Sequence, residues 1–142
     1  MVSLAVAWAD TESANAGRSF ARGTVRKLVR EGETVHFTGH LGFQHYAEAE
    51  GAVPLDLRRP AAKPGDLLVY PATNMQALVA GIFSERLSEK AYPSSTGLHT
   101  DNFEARAGFY SFLTGPLPYN VAAGLPIERF AADRVHAVEP RR

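Results

Sequence analysis

A chain of 142 residues with 45% hydrophobic and 21% charged side chains is long enough to bury a core and too short for two large ones. It therefore reads as one domain over residues 1–142. Its fifteen basic and fifteen acidic residues cancel, which excludes the basic excess of a nucleic-acid binder, and the lack of cysteine excludes disulfides, thiolate nucleophiles and cysteine-ligated zinc.

From the N-terminus, Val2 to Ala9 is apolar but shorter than the roughly 20 residues a membrane span needs, with no basic residue ahead of it as in a signal peptide. It reads either as a first buried strand or, over residues 1–9, as the end of a preceding transmembrane helix. Asp10-Thr11-Glu12 offers side-chain oxygens for free helical N–H groups, so a helix is predicted from about Thr11 to Arg30. Ala14, Gly17, Ala21, Val25, Leu28 and Val29 recur at helical spacing on one face, with Phe20 beside them. Arg18, Arg22, Arg26 and Arg30 repeat every four residues on another, a solvated face or an anion site. Gly32 suits the left-handed cap that follows.

Thr34 to Thr38 is rich in β-branched and aromatic residues and reads as a strand. Gly39-His40-Leu41-Gly42 turns the chain, Phe43 to Glu50 makes about two helical turns, and Ala52 to Leu57 is a second short strand. Residues 34–57 thus form a compact βαβ unit, for which a parallel pair with a right-handed crossover is predicted. Lys63-Pro64-Gly65-Asp66 is a turn, and Leu67 to Tyr70 has the continuous apolar content of a strand covered on both faces. Met75 to Phe83 fits helix or strand, and Ser84 to Lys90 reads as a short surface helix. Tyr92 to Asn102 is extended or loop, Phe103 to Asn120 concentrates aromatic residues among turn formers, and Phe130 to Val138 is the last strand, before a tail at 139–142. The fold class these elements predict is α/β: a small layered domain with a mostly parallel sheet flanked by helices and a Rossmann-like βαβ unit at residues 34–57.

Little in the sequence carries chemistry by itself. His36, His40 and His45 lie close in the chain without the spacing of a zinc site, while His99 and His136 have no companions, so no metal is expected. Gly39 and Gly42 are candidates for a backbone anion nest, but the third glycine of a dinucleotide loop and the lysine of a Walker loop are missing. Ser94 and Ser95 lack a nucleophile elbow, and the pairs Glu48/Glu50 and Asp101/Glu104 have nothing that buries them. No catalytic residue and no cofactor is predicted.

Four segments in order, AWADTESANAGRSFA, FTGHLGFQHYAEAEGAVPLD, KPGDLLVYP and RAGFYSFLTGPLPYN, followed by a strand with IERF and DRVHAV, span most of the chain. Together they resemble the C-terminal water-exposed domain of bacterial membrane-bound glycosyltransferases of the dolichyl-phosphate-mannose protein mannosyltransferase group, glycosyltransferase family 39. The resemblance implies a polytopic parent enzyme that uses a lipid-phosphate-linked sugar, with its catalytic acid in a loop between membrane helices that no position here matches. This chain would then be a non-catalytic accessory domain on the periplasmic side of the inner membrane. Its expected partners are the transmembrane portion of the same parent chain and a lipid-linked sugar or glycan acceptor.

Within that frame His40, Gln44 and Tyr46 are candidate contacts, since an imidazole, an amide and a phenol hydrogen-bond and stack on sugar rings. The competing reading has Tyr46 in the core and Gln44 bonded locally, and Phe109, Tyr110 and Tyr119 pose the same choice. Two alternatives stand beside the resemblance. One is a free-standing soluble α/β protein that binds a nucleotide or small molecule at the Gly39 to Gly42 turn. The other is an interaction module built on Phe103 to Tyr119.

Overall fold

The computed structural model describes residues 2–39, 42–72, 81–109 and 116–139. In chain order the elements are α1 (Val2–Phe20), a single π-helical turn (Ala21–Val25), α2 (Arg26–Arg30), β1 (Val35–Phe37), α3 (Gly42–Ala49), β2 (Val53–Pro54), β3 (Leu67–Pro71), β4 (Ile82–Pro93), β5 (Leu98–His99), β6 (Asp101–Asn102), β7 (Ala107–Gly108), β8 (Asn120–Val121) and β9 (Pro126–Val138). They fall into two compact units, Met1–Ala16 with Ala91–Arg129, and Gly17–Lys90 with Phe130–Arg142.

The second unit is organised by a five-stranded sheet in the order β2-β1-β3-β9-β4. β1 runs parallel to β2, with His36 opposite Val53, and parallel to β3, with Phe37 opposite Val69. The predicted βαβ unit is therefore present, with α3 as its connection. The sheet as a whole is mixed and not mostly parallel, because β9 pairs antiparallel with β3 over five residues, from Leu67 opposite Arg134 to Pro71 opposite Phe130. β3 is the strand buried along most of its length, and it pairs on both edges, which accounts for its unbroken apolar sequence.

Period-two alternation sends Val35, Phe37, Leu67 and Val69 to one face of the sheet and His36, Leu68 and Tyr70 to the other. The first face meets the helices through four aromatic rings. Phe43 of α3 lies 5.1 Å from Phe130, 6.0 Å from Phe37 and 6.1 Å from Phe20 between ring centroids, and Phe20 stacks on Phe130 at 4.7 Å. Such offset and tilted pairs add to the burial of the rings themselves. The second face is filled by Leu55, Ala62, Leu68, Ile82 and Val135, with Leu57, Tyr70 and Val138 packed against them.

The helical run ends at Gly32, as the sequence predicts. There φ is +87°, the Gly32 N–H donates to the Val29 carbonyl and the Glu33 N–H to the Leu28 carbonyl, a Schellman closure that glycine accommodates without strain. Beside it, Arg26 grips Glu50 at the end of α3 with Nε and Nη2 at 2.6 and 2.7 Å. The hydrogen bonds from Arg26 hold the Glu50 carboxyl below the usual range against the opposing effect of desolvation, with further help from the charges of Arg26, Arg22 and Arg30. A carboxyl depressed in the folded state stabilises fully above its unfolded value, about 4.3, and loses that contribution as pH falls through its folded value. Urea midpoints for the wild type and Glu50→Gln are accordingly expected to differ at neutral pH and to converge as pH falls below the ordinary carboxyl range. A constant gap over that range would contradict the assignment.

The first unit corrects two expectations. The helix starts at Val2, so residues 2–9 are helical and not a buried strand, and Asp10-Thr11-Glu12 does not open it. Those three side chains are used elsewhere. Thr11 Oγ1 donates back to the Ala7 carbonyl, Asp10 accepts from the Thr100 hydroxyl at 2.7 Å, and Glu12 accepts from the Ser95 N–H at 2.9 Å. A capping sequence whose oxygens are taken by distant donors leaves the helix free to continue toward its N-terminus.

Short antiparallel pairs, β5 with β8 and β6 with β7, make up the rest of this unit. Side-chain amides peg them. Asn102 donates to the Pro126 carbonyl and accepts from the Ala105 N–H, and Asn120 donates to the Ala105 carbonyl at 2.8 Å.

A third correction concerns Ser84 to Lys90, which are part of the long strand β4 and not a surface helix. Their helix-forming composition is overridden by pairing beside β9 and by Ser84 and Arg86, which both reach one residue of β9 at strand spacing. Met75 to Ala80 and Tyr110 lie outside the described residues.

Candidate functional site

The glycine turn after β1 is the first place the sequence points to. Gly39 has φ +145°, and a Cβ there would sit 2.9 Å from Phe43 Cδ1. The glycine is thus required by the approach of the Phe43 ring, a packing reason that needs no ligand. Alanine at Gly39 is expected to lower the unfolding free energy by about 2 kcal/mol through the positive φ and the contact together. Chemical denaturation measures it, and an unchanged midpoint would refute the packing reason.

His40 and Leu41 lie outside the described residues, so the anion nest is described only at its ends, Gly39 and Gly42. Gln44 is exposed and donates to Glu48 Oε1 at 3.1 Å, a bond along the helix. Tyr46 is half-buried, with the His45 ring edge-on at 5.4 Å. Two residues apart on a helix, Gln44 and Tyr46 project about 200° from each other, so α3 does not bring them onto one face.

The histidines are separated as well. His36 is buried on the second face of the sheet, with Nε2 3.0 Å from Asp66 Oδ2, and the same oxygen accepts the Lys63 N–H at 2.9 Å. Among the described residues, Nδ1 of His36 and the hydroxyl of Thr38, also buried, have no hydrogen-bond partner. His99 is enclosed in the first unit, and His136 lies exposed 3.2 Å from Glu85. Among the described residues no group of three or more His, Asp or Glu side chains is arranged to hold a metal.

A more concentrated polar site stands on the face of the sheet opposite α3, centred on Asp133 in β9. The carboxylate is buried and takes three donors: Tyr70 Oη at 2.8 Å, Ser84 Oγ at 2.9 Å and Arg86 Nε at 2.6 Å. Arg86 also donates from Nη2 to Tyr70 Oη at 3.1 Å and from Nη1 to Glu89 at 2.6 Å, and its guanidinium lies 5.8 Å from the Tyr70 ring centroid. Thr38 is one position beyond the Phe37–Val69 pairing, next to Tyr70 across the β1–β3 edge.

Burial, followed by the bond to Asp133, raises the Tyr70 phenol above its ordinary range, so it stays protonated and acts as a donor. Burial works to lower the Arg86 guanidinium, but its bonds to Tyr70 and Asp133 outweigh that and raise it. Charge and hydrogen bonds in this cluster are mutually satisfied. The cluster joins β3, β4 and β9 as a polar pin.

Sequence reasoning did not find this cluster. The signal available was Asp133 itself, an acid directly after the apolar run Phe130 to Ala132, which must acquire partners if the strand is buried. No family model matches the chain, and no curated protein or solved structure does.

Proposed function

We propose that the chain is a non-catalytic, extracytoplasmic accessory domain of a polytopic membrane glycosyltransferase with a lipid-phosphate-linked sugar donor, contacting the membrane portion of its own parent chain. The observation that carries the reading, beside the ordered sequence segments, is the apolar surface of the first unit. Leu4 is 76% exposed, Val121 68%, Phe103 63% and Trp8 57%, and Phe109, Leu117 and Tyr119 are exposed too. Large side chains left open in this number fit a surface that meets an apolar partner or the membrane interface. No described helix is long and apolar enough to cross a membrane. Sequencing the native reading frame upstream of Met1 tests this directly. Successive transmembrane segments in frame are expected, and a frame that opens at Met1 ends the reading.

A second reading, a soluble nucleotide or small-molecule binder, is favoured by one observation. β1 stands between two parallel neighbours, β2 and β3, so the turn after it lies at a topological switch point, where open α/β sheets bind ligands. Isothermal titration with nucleotides and sugar phosphates addresses it. Heat that is lost in Gly39→Ala, in protein that remains folded, would favour this reading over the first.

A further inference from the structure

The row of arginines on the first helical run is more than a solvated face. Arg22, Gly23, Arg26, Lys27, Arg30 and Glu31, all on this one helical stretch, border an open depression of about 490 Å³ between their side chains. The helix changes character inside it. Ala21–Val25 is a π-helical turn, closed by the Arg26 N–H donating five residues back to the Ala21 carbonyl, while Ala21 and Val25 are buried beneath it. Such turns are rare and carry a cost in hydrogen-bond geometry, so their retention asks for a reason. On the open side Gly23 contributes no side chain, and a Cβ there would meet no atom within 4 Å.

The charges are arranged unequally. Arg26 is fixed by its two bonds to Glu50, and Lys27 is 3.9 Å from Glu31. Arg22 and Arg30, on either side of Arg26, are exposed and hold no hydrogen bond or ion pair among the described residues, although the charge of each also acts on Glu50. Four cations against two carboxylates leave the site with an excess of two positive charges, in a chain whose net charge is zero. Eight residues of helix separate Arg22 from Arg30, about 12 Å along the axis, a gap that two long guanidinium side chains can close around one small anion. Guanidinium groups present paired N–H donors that match phosphate oxygens.

We propose that this concavity binds a phosphate-bearing anion, with Arg22 and Arg30 as the ligating side chains and Arg26 as a fixed positive charge between them. The same chemistry is offered by a free diphosphate and by the phosphate of an anionic lipid headgroup. Such a site is independent of the glycosyltransferase reading, because it belongs to the 142-residue chain alone.

The test uses that chain, titrated calorimetrically with pyrophosphate and, separately, co-sedimented with vesicles of phosphatidylglycerol in phosphatidylcholine and of phosphatidylcholine alone. Three variants accompany it. Arg22→Ala/Arg30→Ala removes the proposed ligands, Arg58→Ala/Arg59→Ala removes the same charge from an exposed loop, and Gly23→Leu fills the concavity while keeping every charge. Circular dichroism confirms that each is folded.

Binding of pyrophosphate weakened at least tenfold in the first and third variants, and by less than threefold in the loop control, supports a site for free phosphates. The same pattern with anionic vesicles only supports a lipid source. Equal losses in both arginine pairs, unchanged binding in Gly23→Leu, or no binding of either probe by the wild type would overturn the proposal. None of these outcomes bears on the reading frame upstream of Met1, so its failure and that of the accessory-domain reading are separately visible.

Discussion

Asp133→Ala is expected to destabilise the chain by about 3 kcal/mol, a shift of the urea midpoint of about 1.5 M. The magnitude follows from what is stranded. Tyr70, Ser84 and Arg86 each lose a charged acceptor at hydrogen-bond distance. The phenol of Tyr70 is half-buried and cannot fully recover its bond from water, whereas the Arg86 side chain, 45% exposed, can. The cost is therefore placed below the upper end for a broken buried pair. Asp133→Asn, which retains one acceptor oxygen, is expected to fall between wild type and alanine. If alanine changes the midpoint by less than about 0.3 M, the cluster is not a structural pin and its carboxylate would have to be explained by a ligand.

Phe43→Ala should cost more, about 4 kcal/mol, because a buried aromatic ring is removed from the centre of a four-ring cluster and the surrounding sheet and helices relax only in part. The experiment is more informative when combined with Gly39→Ala. The steric part of the Gly39 effect is directed at Phe43 Cδ1, 2.9 Å from where the added methyl would stand, so deleting the ring relieves it. The double variant is expected to be less destabilised than the sum of the singles by about 1 kcal/mol. Strict additivity would show that the positive φ alone makes glycine necessary at that position.

Local patterns carried the core of the second unit. The β-branched and aromatic residues of β1, the glycine-bounded α3, the apolar run of β3 and the last strand from Phe130 to Val138 are all visible in short windows of sequence, and all lie where the sequence predicts. What local reading missed depended on distant partners. The oxygens of Asp10 and Glu12 have the chemistry of a helix cap, but they serve Thr100 and Ser95, 90 and 83 residues away. Ser84 to Lys90 has the composition of a surface helix and becomes strand because β9 lies alongside it. Asp133 draws its donors from positions 47, 49 and 63 residues distant, so nothing in its neighbourhood announced the cluster. The arginine row was legible as a row, and the concavity around it was not, because the π turn that accompanies it has no simple sequence signature.

The order of the sheet has a consequence for synthesis. β9 is the last of the strands to leave the ribosome, yet it belongs between β3 and β4. Until then the nascent chain holds β2, β1 and β3 with one edge of Leu67–Pro71 uncovered, and β4 lacks β9, its neighbour among the described strands of the sheet. The whole span from Ala72 to Leu125 is made while that apolar edge waits. Unpaired edges of this kind recruit other chains. Production of the protein is thus most exposed to aggregation in the interval before Pro126 to Val138 emerges, and a chaperone that shields extended apolar segments would act there.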